Sequence, residues 1–86
     1  MKIGTPKEIK NHEYRVGMIP ATVRELTARG HTVYIESEAG EAIGLHDEMY
    51  ARAGAKILKS AEEVFDASEM IVKVKEPQPE IGRAHV

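Results

Sequence analysis

Two cations separated by most of the chain raise the functional question. Arg15 stands in "HEYRVG" and Lys75 in "MIVKVKEPQP". A guanidinium presents a planar fork that grips a carboxylate through two hydrogen bonds, whereas an ammonium is a compact charge suited to a single oxygen. Converging on one small pocket, the pair would bind a carboxylate beside a carbonyl, that is, a 2-oxo acid. Lys75 could also polarise that carbonyl, or form a Schiff base once deprotonated. The competing reading is two solvated cations on a charged surface, and composition alone does not separate the two.

Other residues offer less chemistry. The four histidines, His12, His31, His46 and His85, have no ligand spacing, so no metal site is expected. "GEAIG" at residues 40–44 is too short for a phosphate-binding loop, and no G-x-G-x-x-G occurs. Glu62, Glu63, Asp66 and Glu69 are most simply a solvated helix face, and "PQP" at residues 77–79 a rigid turn.

The elements that would position Arg15 and Lys75 follow from local pattern. "KIG" at residues 2–4 is a short strand closed by Gly4 and Pro6, and a long polar loop over residues 6–19 follows it. Pro20 suits the first position of a helix over residues 20–30, with Val23 and Leu26 on its apolar face and Gly30 as a left-handed stop. Strand "HTVYIE" (residues 31–36) leads through a glycine-punctuated loop (37–44) to a helix over residues 46–54, with Met49, Tyr50 and Ala53 expected inward. A brief strand over residues 55–58 precedes a helix over residues 60–66. There Ser60 and Glu63 match a reciprocal capping box, and Val64 and Phe65 are expected to supply the apolar contacts. The last strand, residues 70–74, is expected to place Met70, Val72 and Val74 on one face and Ile71, Lys73 and Lys75 on the other, stopping against Pro77.

Strands alternating with helices predict an α/β fold with a mainly parallel sheet and helices on both faces. Ligands of such sheets collect beyond the carboxyl ends of the strands. The loop carrying Arg15 follows the first strand and Lys75 follows the last, so both belong to that edge.

Bulk properties narrow the classes. With 86 residues the chain is one domain or part of one, and folding alone would bury only about 60% of its surface. Twelve Lys+Arg against 14 Asp+Glu, a net charge of −2, argue against nucleic acid or an anionic membrane as partner. Cysteine is absent, which rules out disulfides and thiolate ligands and fits a reducing compartment. No apolar run approaches the ~20 residues of a membrane span, and no signal peptide is visible, so a cytoplasmic chain is expected.

Taken in order, "G-x-P-K-E" (residues 4–8), "E-Y-R-V" (13–16), "G-H-x-V" (30–33) and "V-K-V-K-E-P" (72–77) carry a resemblance. The chain from Met1 to about Glu80 resembles the N-terminal part of the alanine dehydrogenase family, which extends to the nicotinamide-nucleotide transhydrogenase alpha subunit. The resemblance implies the partial substrate domain of a two-domain dehydrogenase, completed by a Rossmann domain that binds NAD. It also implies reversible oxidative deamination of L-alanine to pyruvate and ammonia, usually in a hexamer. The family's substrate-binding arginine and lysine match Arg15 and Lys75. Its catalytic histidine and aspartate and its nucleotide-binding residues fall beyond Val86, which implies that this segment is inactive alone. Ile19 replaces the Ser or Thr helix cap of many relatives. The tail at residues 81–86 does not continue the family pattern and looks like translated sequencing adapter. Two alternatives stay open: a transhydrogenase alpha-subunit segment, and a non-catalytic truncated fragment.

Overall fold

The structure, a computed structural model, describes residues 1–8 and 16–74. Four strands and three α-helices alternate through them: β1 (Lys2–Thr5), α1 (Pro20–Ala28), β2 (Thr32–Glu36), α2 (Asp47–Ala53), β3 (Lys56–Leu58), α3 (Ala61–Ala67) and β4 (Met70–Ile71). A 3-10 turn at Glu41–Ile43 lies within the glycine-punctuated loop before α2. The sheet order is β3-β2-β1-β4 and every pairing is parallel.

Neighbouring residues of β1 look to opposite faces, and the two faces are covered by different helices. Ile3 joins Val33 and Ile35 of β2, Val23 of α1, and Tyr50 and Ala53 of α2 in the main core. Gly4 faces α3, whose approach is so close that a Cβ on Gly4 would lie 2.7 Å from Val64 Cγ1. Helices therefore cover both faces, as the alternation of strands and helices predicts. Val33, Ile35, Val23, Tyr50 and Val64 are all fully buried. Each removes about 1.5–3 kcal/mol worth of apolar surface from water.

Helix boundaries follow the expected local chemistry with three corrections. Pro20 opens α1, Ile19 at its cap gives no side-chain bond, and the amides of Thr22 and Val23 turn to the Ile19 carbonyl instead. Gly30 adopts φ +93°, and the amides of Gly30 and His31 close back onto the carbonyls of Thr27 and Leu26. Ser60 Oγ accepts the Glu63 amide at 3.2 Å, but among the described residues the return bond from the Glu63 side chain does not form. Met49 is exposed rather than inward; it sits in the first turn of α2, where its sulfur accepts the His46 amide. Phe65 is also exposed (48%), because Val64, about 100° away around the helix, takes the position against the sheet.

The last strand is the largest departure. Pairing covers only Met70–Ile71, not residues 70–74. The Val72 amide still donates to the Gly4 carbonyl at 2.9 Å. In this register the next bond would run from the nitrogen of Pro6 to the Val72 carbonyl, and Pro6 has no hydrogen to give. The expected stop, Pro77, lies outside the described residues; Pro6, which directly follows β1, ends the pairing.

Candidate functional site

β1 connects through α1 to β2 on one side, whereas β4 flanks β1 on the other. The gap between the carboxyl ends of β1 and β4 is therefore a switch point, the place where open parallel sheets hold their ligands. Thr5 ends β1 there, and Pro6, buried, turns the chain out of the sheet. Lys7 is tied down through its amide, which donates to Glu36 Oε1 at 2.7 Å, while its exposed ammonium stands 3.7 Å from Glu38.

Two segments meet above this gap. A Cβ on Gly17 would lie 2.5 Å from the Val72 carbonyl oxygen, 3.1 Å from its carbon and 3.2 Å from Thr5 Cγ2. The chain entering α1 thus lies directly on the backbone leaving β4, and only the missing side chain of Gly17 permits it. Glu8 Oε2 then accepts the Val74 amide at 3.2 Å, a bond spanning 66 positions of sequence.

The floor beneath is fixed by α2. The Tyr50 hydroxyl donates to the Met18 carbonyl at 2.6 Å, anchoring the residue after Gly17. Burial first, and then the Asp47 carboxylate, push the Tyr50 hydroxyl up to about 12 from 10.0, so it stays a proton donor at any physiological pH. Asp47 itself accepts from Ser37 Oγ and from the Glu38 amide, both at 2.7 Å, and holds the Glu38 turn at φ +69°. Thr5 Oγ1 is fully buried at the strand end and has no hydrogen-bond partner among the described residues.

Of the residues singled out by sequence, Arg15 and Lys75 lie outside the described residues, as do His12, His85 and the tail at residues 81–86. The structure does describe their chain neighbours: Val16 and Gly17 follow Arg15, and Val72 to Val74 precede Lys75. These neighbours come together. His31 and His46 stay apart from the gap; His46 Nδ1 pairs with Glu41 at 2.9 Å. Among the described residues no cluster of histidine and carboxylate side chains could hold a metal ion, and no helix is long and apolar enough to cross a membrane.

The sequence reading missed Thr5, Glu8, Gly17 and Tyr50 as parts of the site. Glu8 closes the "G-x-P-K-E" motif and Gly17 follows "E-Y-R-V" directly, so adjacency to those motifs was the available signal.

An open parallel sheet of this order, with two long-range contacts across its switch point, defines an α/β protein with a candidate ligand site at the carboxyl edge of the sheet. The family model "Alanine dehydrogenase/PNT, N-terminal domain" matches residues 4–85, and the chain belongs to that family. Alanine dehydrogenase of Methanococcus maripaludis is 57% identical over 77 residues, covering 90% of this chain and 21% of that protein. The Bacillus subtilis alanine dehydrogenase is 50% identical over 80 residues, covering 93% and 21%. Among solved structures, an L-alanine dehydrogenase superposes with TM-score 0.87 at 52% identity, over 93% of this chain and 22% of the other. A transhydrogenase from Sinorhizobium meliloti superposes with TM-score 0.82 at 28% identity, over 93% and 24%. The chain therefore spans about a fifth of the length of the alanine dehydrogenases it matches.

The described residues do not fit a nicotinamide dinucleotide. The turn from β1 to α1, where such a fold would cradle a pyrophosphate, holds no G-x-G-x-x-G, and its Gly17 is closed against Val72 rather than open to a ligand.

Proposed function

We propose that these residues are the substrate-binding segment of an NAD-dependent L-alanine dehydrogenase. The full-length protein converts L-alanine, NAD+ and water to pyruvate, ammonium, NADH and a proton. Arg15 clamps the substrate carboxylate with its fork, and Lys75 holds and polarises the 2-oxo group. The single observation that carries this reading is the closure of the switch point, with Gly17 packed on Val72 and Glu8 bonded to Val74. It joins the segment that follows Arg15 to the segment that precedes Lys75. NAD is held by residues outside these 86, in keeping with the misfit described above, and the segment alone is inactive. The parent is cytoplasmic and assembles as a homohexamer, with no nucleic-acid or membrane partner. A transhydrogenase alpha-subunit origin is the second reading, favoured by the shared fold and disfavoured by the lower identity.

Steady-state kinetics of the full-length protein test the proposal. Lys75→Ala is expected to lower kcat about 10²-fold or more, through lost electrostatic stabilisation of the developing oxyanion. Arg15→Lys is expected mainly to raise KM for pyruvate, because the two-pronged grip is lost. Near-normal kcat in the first variant and unchanged KM in the second would refute the assignment. The 86-residue chain given pyruvate, ammonium and NADH should show no turnover; turnover would overturn its proposed inactivity.

A further inference from the structure

Val74 is the residue before Lys75, and its amide is the first that the sheet cannot serve. By the register of β1 with β4, its partner would be the Pro6 carbonyl, but pairing has already ended at Val72. The Glu8 carboxylate takes that amide instead, at 3.2 Å, in a half-buried setting. A hydrogen bond from a backbone amide to an ionised carboxylate is roughly twice as strong as one to a neutral acceptor. Glu8 also belongs to the same inter-element segment as Arg15, residues 6–19. One side chain therefore ties the segment carrying the proposed carboxylate clamp to the backbone that presents the proposed carbonyl-polarising lysine.

We propose that Glu8 is a positioning residue for Lys75, acting through its hydrogen bond to the Val74 amide. This rests on the substrate-binding reading of Lys75 given above. Glu8 touches no substrate; it fixes the direction in which the chain departs β4. Only an acceptor of glutamate length is required, so glutamine suffices and alanine does not. Misplacing a catalytic group by about 1 Å can cost on the order of 10²-fold in rate. Because a tethered lysine keeps part of its reach, the expected loss here is smaller, about tenfold.

A double-mutant cycle in the full-length protein, read as kcat and KM for pyruvate, tests this. Glu8→Ala is expected to lower kcat about tenfold with a smaller change in KM, and Glu8→Gln to stay within about threefold of the parent. In a Lys75→Ala background, Glu8→Ala should change kcat less than twofold, since the group it positions is gone. An equal loss in both backgrounds, parental kcat in Glu8→Ala, or a Glu8→Gln variant as impaired as Glu8→Ala would each overturn the proposal. Hydrogen exchange of the Val74 amide in the unmutated full-length protein gives a reading independent of variant folding. Exchange slowed at least tenfold against an unstructured amide is expected, and unprotected exchange overturns the proposal. If Lys75→Ala and Arg15→Lys behave as expected while the cycle is additive, only the role of Glu8 falls. If those two variants are also silent, the substrate-binding reading falls with it.

Discussion

Gly17→Ala is the sharpest perturbation of the switch point. The added Cβ would sit 2.5 Å from the Val72 carbonyl oxygen, about 0.9 Å short of the 3.4 Å at which ordinary contact begins. Its two nearest atoms belong to the Val72 backbone and cannot rotate aside, and the third, Thr5 Cγ2, is on a fully buried side chain. The overlap must be relieved by separating the chain entering α1 from the chain leaving β4. Forced overpacking of this kind costs about 1–3 kcal/mol. The same movement, approaching 1 Å, would pull apart the two segments on which the proposed pocket depends, and a displacement of that size costs up to about 10²-fold in catalysis. Urea unfolding of the full-length protein should show a lower midpoint at unchanged slope. Pyruvate kinetics should show kcat/KM reduced by at least tenfold. A variant with parental midpoint and parental kcat/KM would mean that the contact of Gly17 with Val72 has no structural or functional consequence, and the reasoning would fail.

Two further predictions concern the support beneath the site. Tyr50→Phe removes the donor to the buried Met18 carbonyl and should cost about 1–3 kcal/mol in unfolding free energy. Because folding raises the Tyr50 hydroxyl from 10.0 to about 12, the native state keeps a proton that the unfolded chain releases; its contribution is complete below pH 10 and is lost as pH climbs from 10 to 12. The parent should lose on the order of 2–3 kcal/mol of stability across that interval more than Tyr50→Phe does, and parallel pH profiles would contradict this. Ile19→Ser supplies the missing cap at a site 46% exposed, with backbone angles already extended (φ −98°, ψ 164°), and should raise stability by about 0.5–1 kcal/mol. An unchanged or lowered thermal midpoint would count against it.

Much of the scaffold was legible from local signals. Val33 and Ile35 alternate as a strand buried at every second position, Pro20 and Gly30 bracket a helix, and Ser60 caps another. Each of these rests on interactions within about four residues, which spacing encodes directly. The inward assignments of Met49 and Phe65 failed because helical spacing defines a stripe but does not say where its border falls against a sheet. The length of β4 failed for a different reason: the group that ends it, Pro6, is more than sixty residues away in sequence.

By itself, then, the sequence determined the element types and the parallel α/β class. The order β3-β2-β1-β4, the contact of Gly17 with Val72 and the bond from Val74 to Glu8 were decided only by tertiary structure. The physical reason is that strand order and register arise from burying two apolar faces at once. No local pattern records which distant carbonyl a Pro6 nitrogen will fail to serve, or which carboxylate will be near enough to take the amide left over.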